Sequence, residues 1–201
     1  MDAQQPAAPL LPIDLHAAPS AVEAPGPLWQ NAKGWAERAS AEARGRVLRP
    51  LPGVPERLGA WLGDPEHLPH PLLLDLAPGD EAPRPRRATR RLLELAHTTQ
   101  HPLTLATSIT LPPRLIEMLG RLGRSGIAQV VVILPSLDPR LAETLEPGGA
   151  PPARRVALVR ALAALGVAVE VRLAPLLPTI NDDEIALLAG SAAAAGARSL
   201  S

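Results

Sequence analysis

Between residues 72 and 195 the sequence alternates short apolar runs, each closed off by proline or glycine, with longer stretches of helical period, and few folds accept that order. Leu72-Leu73-Leu74-Asp75-Leu76 lies between Pro71 and Pro78-Gly79, the pattern of a strand buried on both faces. A helix is expected over 86–98, with Leu92, Leu93 and Ala96 inward and Arg87, Arg90, Arg91 and Glu94 mostly outward. A strand over 103–109, a helix over 113–122 with Gly123 and Gly126 past its end, and a strand over 129–134 follow. A helix over 154–165 closed by Gly166 and a strand over 168–173 repeat the unit. Asn181 then reads as the cap of a helix over 182–195, with carboxylates in the first turn where the helix dipole favours them. Such alternation specifies an α/β fold with a parallel sheet and helical crossovers, either a barrel or an open doubly wound sheet.

The region before this pattern is different. Residues 1–27 are mostly Ala, Pro, Gln and short apolar residues without period, and we read 1–45 as a disordered or weakly helical segment ahead of one domain over 46–201. The stretch 36–49 is a short helix or helix pair at best, broken by Gly45. Residues 54–62 are expected to be helical, with Pro55 in the first turn and Leu58, Trp61 and Leu62 at helical spacing. The chain has no Phe and no Tyr, so its core must be packed from Leu, Val, Ile and Ala, which bury less area than rings.

Composition narrows the function. A formal net charge of zero does not suit a protein that works chiefly by attraction to phosphate backbones or anionic lipid. No apolar stretch is long enough to span a membrane, and no basic start leads into an apolar run, so a cytoplasmic bacterial protein is the expectation. Cysteine is absent, which excludes disulfides and thiolate metal sites.

Several segments also carry a recognisable wording. They are Leu93-Glu94-Leu95 before His101-Pro102 and the LTLATSIT strand; Ser136-Leu137-Asp138-Pro139, Leu145-Glu146-Pro147 and Pro152-Ala153-Arg154-Arg155; and Ala174-Pro175-Leu176-Leu177-Pro178-Thr179-Ile180-Asn181-Asp182-Asp183-Glu184. In this order the chain resembles the spore photoproduct lyase-like branch of the radical S-adenosylmethionine superfamily over about 71–198, and more faintly back to about 46. The resemblance implies a partial (β/α) barrel with the cofactor across the strand C-termini. It also implies a [4Fe-4S] cluster held by a CxxxCxxC loop after the first strand, expected upstream of Arg46, in the tail or around 29–43. That loop has no cysteine to offer.

Other family positions have changed as well. A Thr-Lys-Ser motif becomes Thr107-Ser108-Ile109, an Arg-Asp pair becomes Arg114-Leu115, a strand-four serine becomes Ile133, and an Asp-Pro-Tyr-Gln turn becomes Asp75-Leu76-Ala77-Pro78. The residues left where the family holds its cofactor are Asp75, Thr107, Ser108, Ser136, Glu146, Arg155 and Asn181, with Glu146 and Arg155 read as a structural ion pair. The chain stops where the family begins its sixth strand, so that edge is expected to be covered by the N-terminal tail, a second copy or another protein.

The remaining polar groups take bland readings. Asn181, Asp182, Asp183 and Glu184 suit a helix start better than a metal or substrate site. The pairs His67/His70 and His97/His101 lack a third ligand and are read as surface residues. Arg84, Arg86, Arg87, Arg90 and Arg91 form a solvated face balanced by Asp80, Glu81 and Glu94, not a nucleic-acid site, since no stacking aromatics accompany them. Thr107 and Ser108 have no histidine in a nucleophile motif. The expectation is a catalytically inactive scaffold or binding module with no metal and no catalytic residue. The alternative is a residual enzyme that binds S-adenosylmethionine or borrows a cluster from a partner chain.

Overall fold

A computed structural model describes residues 11–13, 55, 59, 72–78 and 82–201. The expectations for 36–49, for the histidines at 67 and 70 and for Asp80 and Glu81 lie outside the described residues. So does most of the helix expected over 54–62, of which Pro55 and Gly59 are described and helical.

The strands are β1 (Leu11–Ile13), β2 (Leu72–Leu76), β3 (Leu103–Thr107), β4 (Ala128–Ile133), β5 (Ala168–Arg172) and β6 (Ser199–Leu200). Among the described residues, the helices with defined ends are α1 (Pro83–Thr99), α2 (Pro113–Arg124), α3 (Pro139–Leu145), α4 (Pro152–Ala164) and α5 (Ile185–Ala194), the last preceded by a 3₁₀ turn at Asp182–Glu184. All six strands run parallel and pair in the order of the sequence. A doubly wound sheet needs a point at which strand order reverses, and this sheet has none. Right-handed crossovers in sequential order place the helices on one face, and the result is an open, partial (β/α) barrel.

Proline starts every helix from α1 to α4 at its first turn, where the missing N–H costs nothing and the fixed φ suits the helix. It extends α1 back to Pro83 and α4 back to Pro152, beyond the expected bounds. Helix α3 was not expected. Asp138 caps it, accepting from the N–H groups of Arg140 (2.7 Å) and Leu141 (3.3 Å), but with seven residues and Ala142 alone buried it carries no readable period.

Strand side chains alternate between two environments. Leu74, Leu76, Leu103, Leu105, Val130, Val132, Val169 and Val171 face the helices and form one core with Leu92, Leu93, Leu119, Leu122, Val159 and Leu162. The opposite, inner face carries Leu73 and Asp75 of β2, Thr104 and Ala106 of β3, Gln129 and Val131 of β4, and Glu170 and Arg172 of β5. Every residue of β3 is buried, as a central parallel strand requires.

Helix α2 approaches β5 closely because Gly123 lacks a side chain: a Cβ there would lie 2.8 Å from Val167 Cα. The edges differ from expectation. Leu11–Ile13, in the stretch expected to carry no regular structure, pairs with β2, with Pro12 on an edge strand where its missing N–H is tolerated. β1 therefore lies at the edge opposite the one it was expected to cover. Beside β5, the sixth strand begins within the chain: Arg198 N–H donates to Val169 O (2.7 Å) and Ser201 N–H to Val171 O (3.1 Å).

Candidate functional site

The C-terminal ends of β2 to β5 and the loops leaving them gather all seven residues singled out in the sequence. Asp75 is the penultimate residue of β2, half-buried, beside Ala106 of β3 on the inner face. Thr107 ends β3 fully buried, its Oγ1 accepting from the N–H of Ile109 (3.2 Å) in a tight hydroxyl turn. Ser108 is buried, and its backbone ties two loops together: its N–H donates to Leu76 O (3.4 Å), and its carbonyl accepts from Ala150 N–H (2.8 Å).

Two polar networks grow from the segment that leaves β4. In the first, Arg155 of α4, 2% exposed, donates from Nη1 to Ile133 O (2.8 Å), from Nε to Ala150 O, and from Nη1 to the carboxylate of Glu146. The ion pair is formed as expected. Gly149 leaves room for it, since a Cβ at that position would collide with the Arg155 guanidinium.

The second network corrects the reading of Asn181. Its side chain makes no capping hydrogen bond to the following turn. It is fully buried, Oδ1 accepts from Leu177 N–H (2.7 Å), and Nδ2 donates to Pro135 O (2.7 Å) and Pro175 O (2.9 Å). A buried primary amide is stable only with its donors and acceptor matched, and here the 174–181 loop and the end of β4 supply the partners. Glu184, read as a dipole partner of the helix, reaches across to accept from Ser136 Oγ (2.8 Å) and Leu137 N–H (2.8 Å). Ser136 Oγ in turn accepts from Asp138 N–H (2.9 Å). Asp182 and Asp183 are exposed.

A further polar row was not expected. On the inner face Glu170 accepts from Gln129 Nε2 (3.3 Å), Arg172 Nη2 (2.9 Å) and Ser201 Oγ (2.6 Å). The signal was the strict alternation Ala-Val-Glu-Val-Arg over 168–172, which sends Glu170 and Arg172 to the face away from Val169 and Val171.

The other candidates stay apart. His97 is exposed in the last turn of α1, whereas His101 is buried at the start of β3, so the surface reading holds for the first and fails for the second. Sequence adjacency said nothing of the depth at which β3 enters the core. Arg84, Arg86, Arg87, Arg90 and Arg91 are all exposed, with Arg90 paired to Glu94 (3.5 Å). Among the described residues no group of three or more His, Cys, Asp or Glu could hold a metal ion, and no helix is long and apolar enough to cross a membrane.

No protein-family model matches the chain. It is 35% identical over 98 residues to the uncharacterized protein Rv2578c of Mycobacterium tuberculosis and, to the same extent, to the uncharacterized protein Mb2609c of Mycobacterium bovis. The match takes in 48% of this chain and 29% of each relative, so the chain spans less than a third of the curated relatives' length. Among solved structures it is similar to Streptococcus suis SuiB bound to S-adenosylmethionine, with TM-score 0.58 and 16% identity over 77% of this chain and 34% of SuiB. SuiB bound to its precursor peptide SuiA gives the same TM-score over 77% and 33%. The likeness to SuiB establishes the fold alone, an open partial (β/α) barrel. A [4Fe-4S] cluster does not fit this chain, because no thiolate exists in its 201 residues to ligate iron.

Proposed function

We propose that this chain is a degenerate relative of the radical S-adenosylmethionine enzymes, catalytically inactive, serving as a scaffold or binding module. One observation carries the reading: the polar groups that remain at the strand C-termini bond to one another and to the backbone. Arg155 is held by Glu146 and two carbonyls, Asn181 by three backbone groups, and Ser136 by Glu184. Groups so engaged hold loops in place, and a ligand would have to displace internal hydrogen bonds to use them. The pairing of Leu11–Ile13 ahead of β2 supports the same reading. If β1 is the first barrel strand, the cluster loop of the family falls after Ile13, in a sequence without cysteine.

A second reading is that S-adenosylmethionine still binds for chemistry without the cluster, or beside a partner chain that supplies one. It is favoured by the half-buried row of Gln129, Glu170 and Arg172 on the inner face, and by the likeness to SuiB bound to S-adenosylmethionine. Calorimetric titration with S-adenosylmethionine separates the two. The inactive scaffold gives no saturable heat, and binding in the range of about 1–10 μM would move the assignment to the second reading.

A further inference from the structure

We propose that the groove between the first turns of α1 and α2 docks an acidic peptide segment with interleaved apolar residues. The groove holds about 530 Å³, with Arg86, Arg87 and Arg90 of α1 on one side and Arg114 of α2 on the other, over a floor of Pro112 and Leu115. Among the described residues none of those lining it is a carboxylate; Asp80 and Glu81, which precede α1, lie outside them. Among the described residues Arg90 alone of the four makes an ion pair, and that pair, with Glu94, is half exposed. Among the described residues Arg86 and Arg114 face the groove without one, from two different helices.

Both helices also start without a side-chain cap and without an acidic residue in the first turn, so their N-terminal ends add positive potential to the same mouth. Two helices and four guanidinium groups favour carboxylates, which Arg binds in a bidentate fashion.

A small cavity shares part of this lining. Thr89 of α1 is 1% exposed, and its hydroxyl has no hydrogen-bond partner among the described residues. It lines a cavity of about 10 Å³ together with Arg86, Leu115 and Pro112, residues that also line the groove. A space of this size admits a single water beside the Thr89 hydroxyl.

The apolar floor and the arginine rim together choose the occupant. A nucleic-acid strand would find no aromatic ring here for its bases. A peptide that alternates acidic and aliphatic residues would satisfy both rim and floor. Because α1 and α2 begin where β2 and β3 end, such a segment lies beside the strand C-termini. The proposal does not depend on whether that end of the sheet binds S-adenosylmethionine.

The test is fluorescence anisotropy with the full chain and a labelled peptide of Glu-Leu-Asp repeats, beside a Lys-Leu peptide and an oligothymidylate strand. The acidic peptide should bind and the lysine peptide should not. Arg86→Glu and Arg114→Glu should each weaken binding about tenfold or more, while Arg160→Glu on the exposed side of α4 leaves it unchanged. Should Arg86→Glu not fold by circular dichroism, Arg114→Gln, on the other helix, carries the measurement. Absence of binding, equal binding of the lysine peptide, or groove variants without effect overturn the proposal. So does tighter binding of the oligothymidylate that the same variants abolish.

Discussion

Arg155, 2% exposed, holds its guanidinium against the carboxylate of Glu146, a residue nine positions earlier that closes α3. The same guanidinium reaches Ile133 O and Ala150 O, so one side chain joins the end of β4 to the loop before α4. Removing the carboxylate alone leaves a buried charge with only carbonyl partners. Glu146→Ala is expected to lower stability by about 2–3 kcal/mol, less than for a fully buried pair because the Glu146 side chain is 21% exposed. Gly149→Ala should also destabilise, since the added methyl enters the space of the guanidinium. Urea unfolding checks both.

Asn181 and its two acidic neighbours should differ sharply in how much they matter. Asn181→Ala strands Leu177 N–H and two carbonyls in a buried site and is expected to cost about 2–4 kcal/mol. Asp182→Ala and Asp183→Ala, at exposed positions, should stay within about 0.5 kcal/mol. Thermal melts that showed the aspartates to matter as much as Asn181 would contradict the network described here.

Two glycines within helices make a sharper contrast. Gly190→Ala in α5 meets nothing within 4 Å and should stabilise by up to about 1 kcal/mol through helix propensity. Gly123→Ala in α2 gains the same propensity but drives a methyl against Val167 Cα and Cγ2, so a net loss of about 1–2 kcal/mol is expected. A stabilised Gly123→Ala would mean that α2 and β5 are further apart than described.

The main strands were readable because each is a short apolar run closed by Pro or Gly, as in Leu72–Leu76 and Ala128–Ile133. What the sequence hid is what depends on distant partners. Asn181-Asp182-Asp183-Glu184 has the local chemistry of a helix start, but Asn181 is claimed by Pro135 O, 46 residues away, and Glu184 by Ser136, 48 away. No local pattern encodes such a contact. Helix α3 hid because a single buried Ala142 defines no period, and β1 because three residues cannot show alternation. Barrel and doubly wound sheet share the same βα alternation, and only strand order, a tertiary property, separates them.

The direct trial of the central claim is an iron measurement. The full chain is incubated anaerobically with iron and sulfide, desalted, reduced with dithionite, and examined by iron assay and electron paramagnetic resonance. A chain whose fold has outlived its cluster ligands returns iron at background and a silent spectrum. Stoichiometric iron with a reduced-cluster signal would contradict that account.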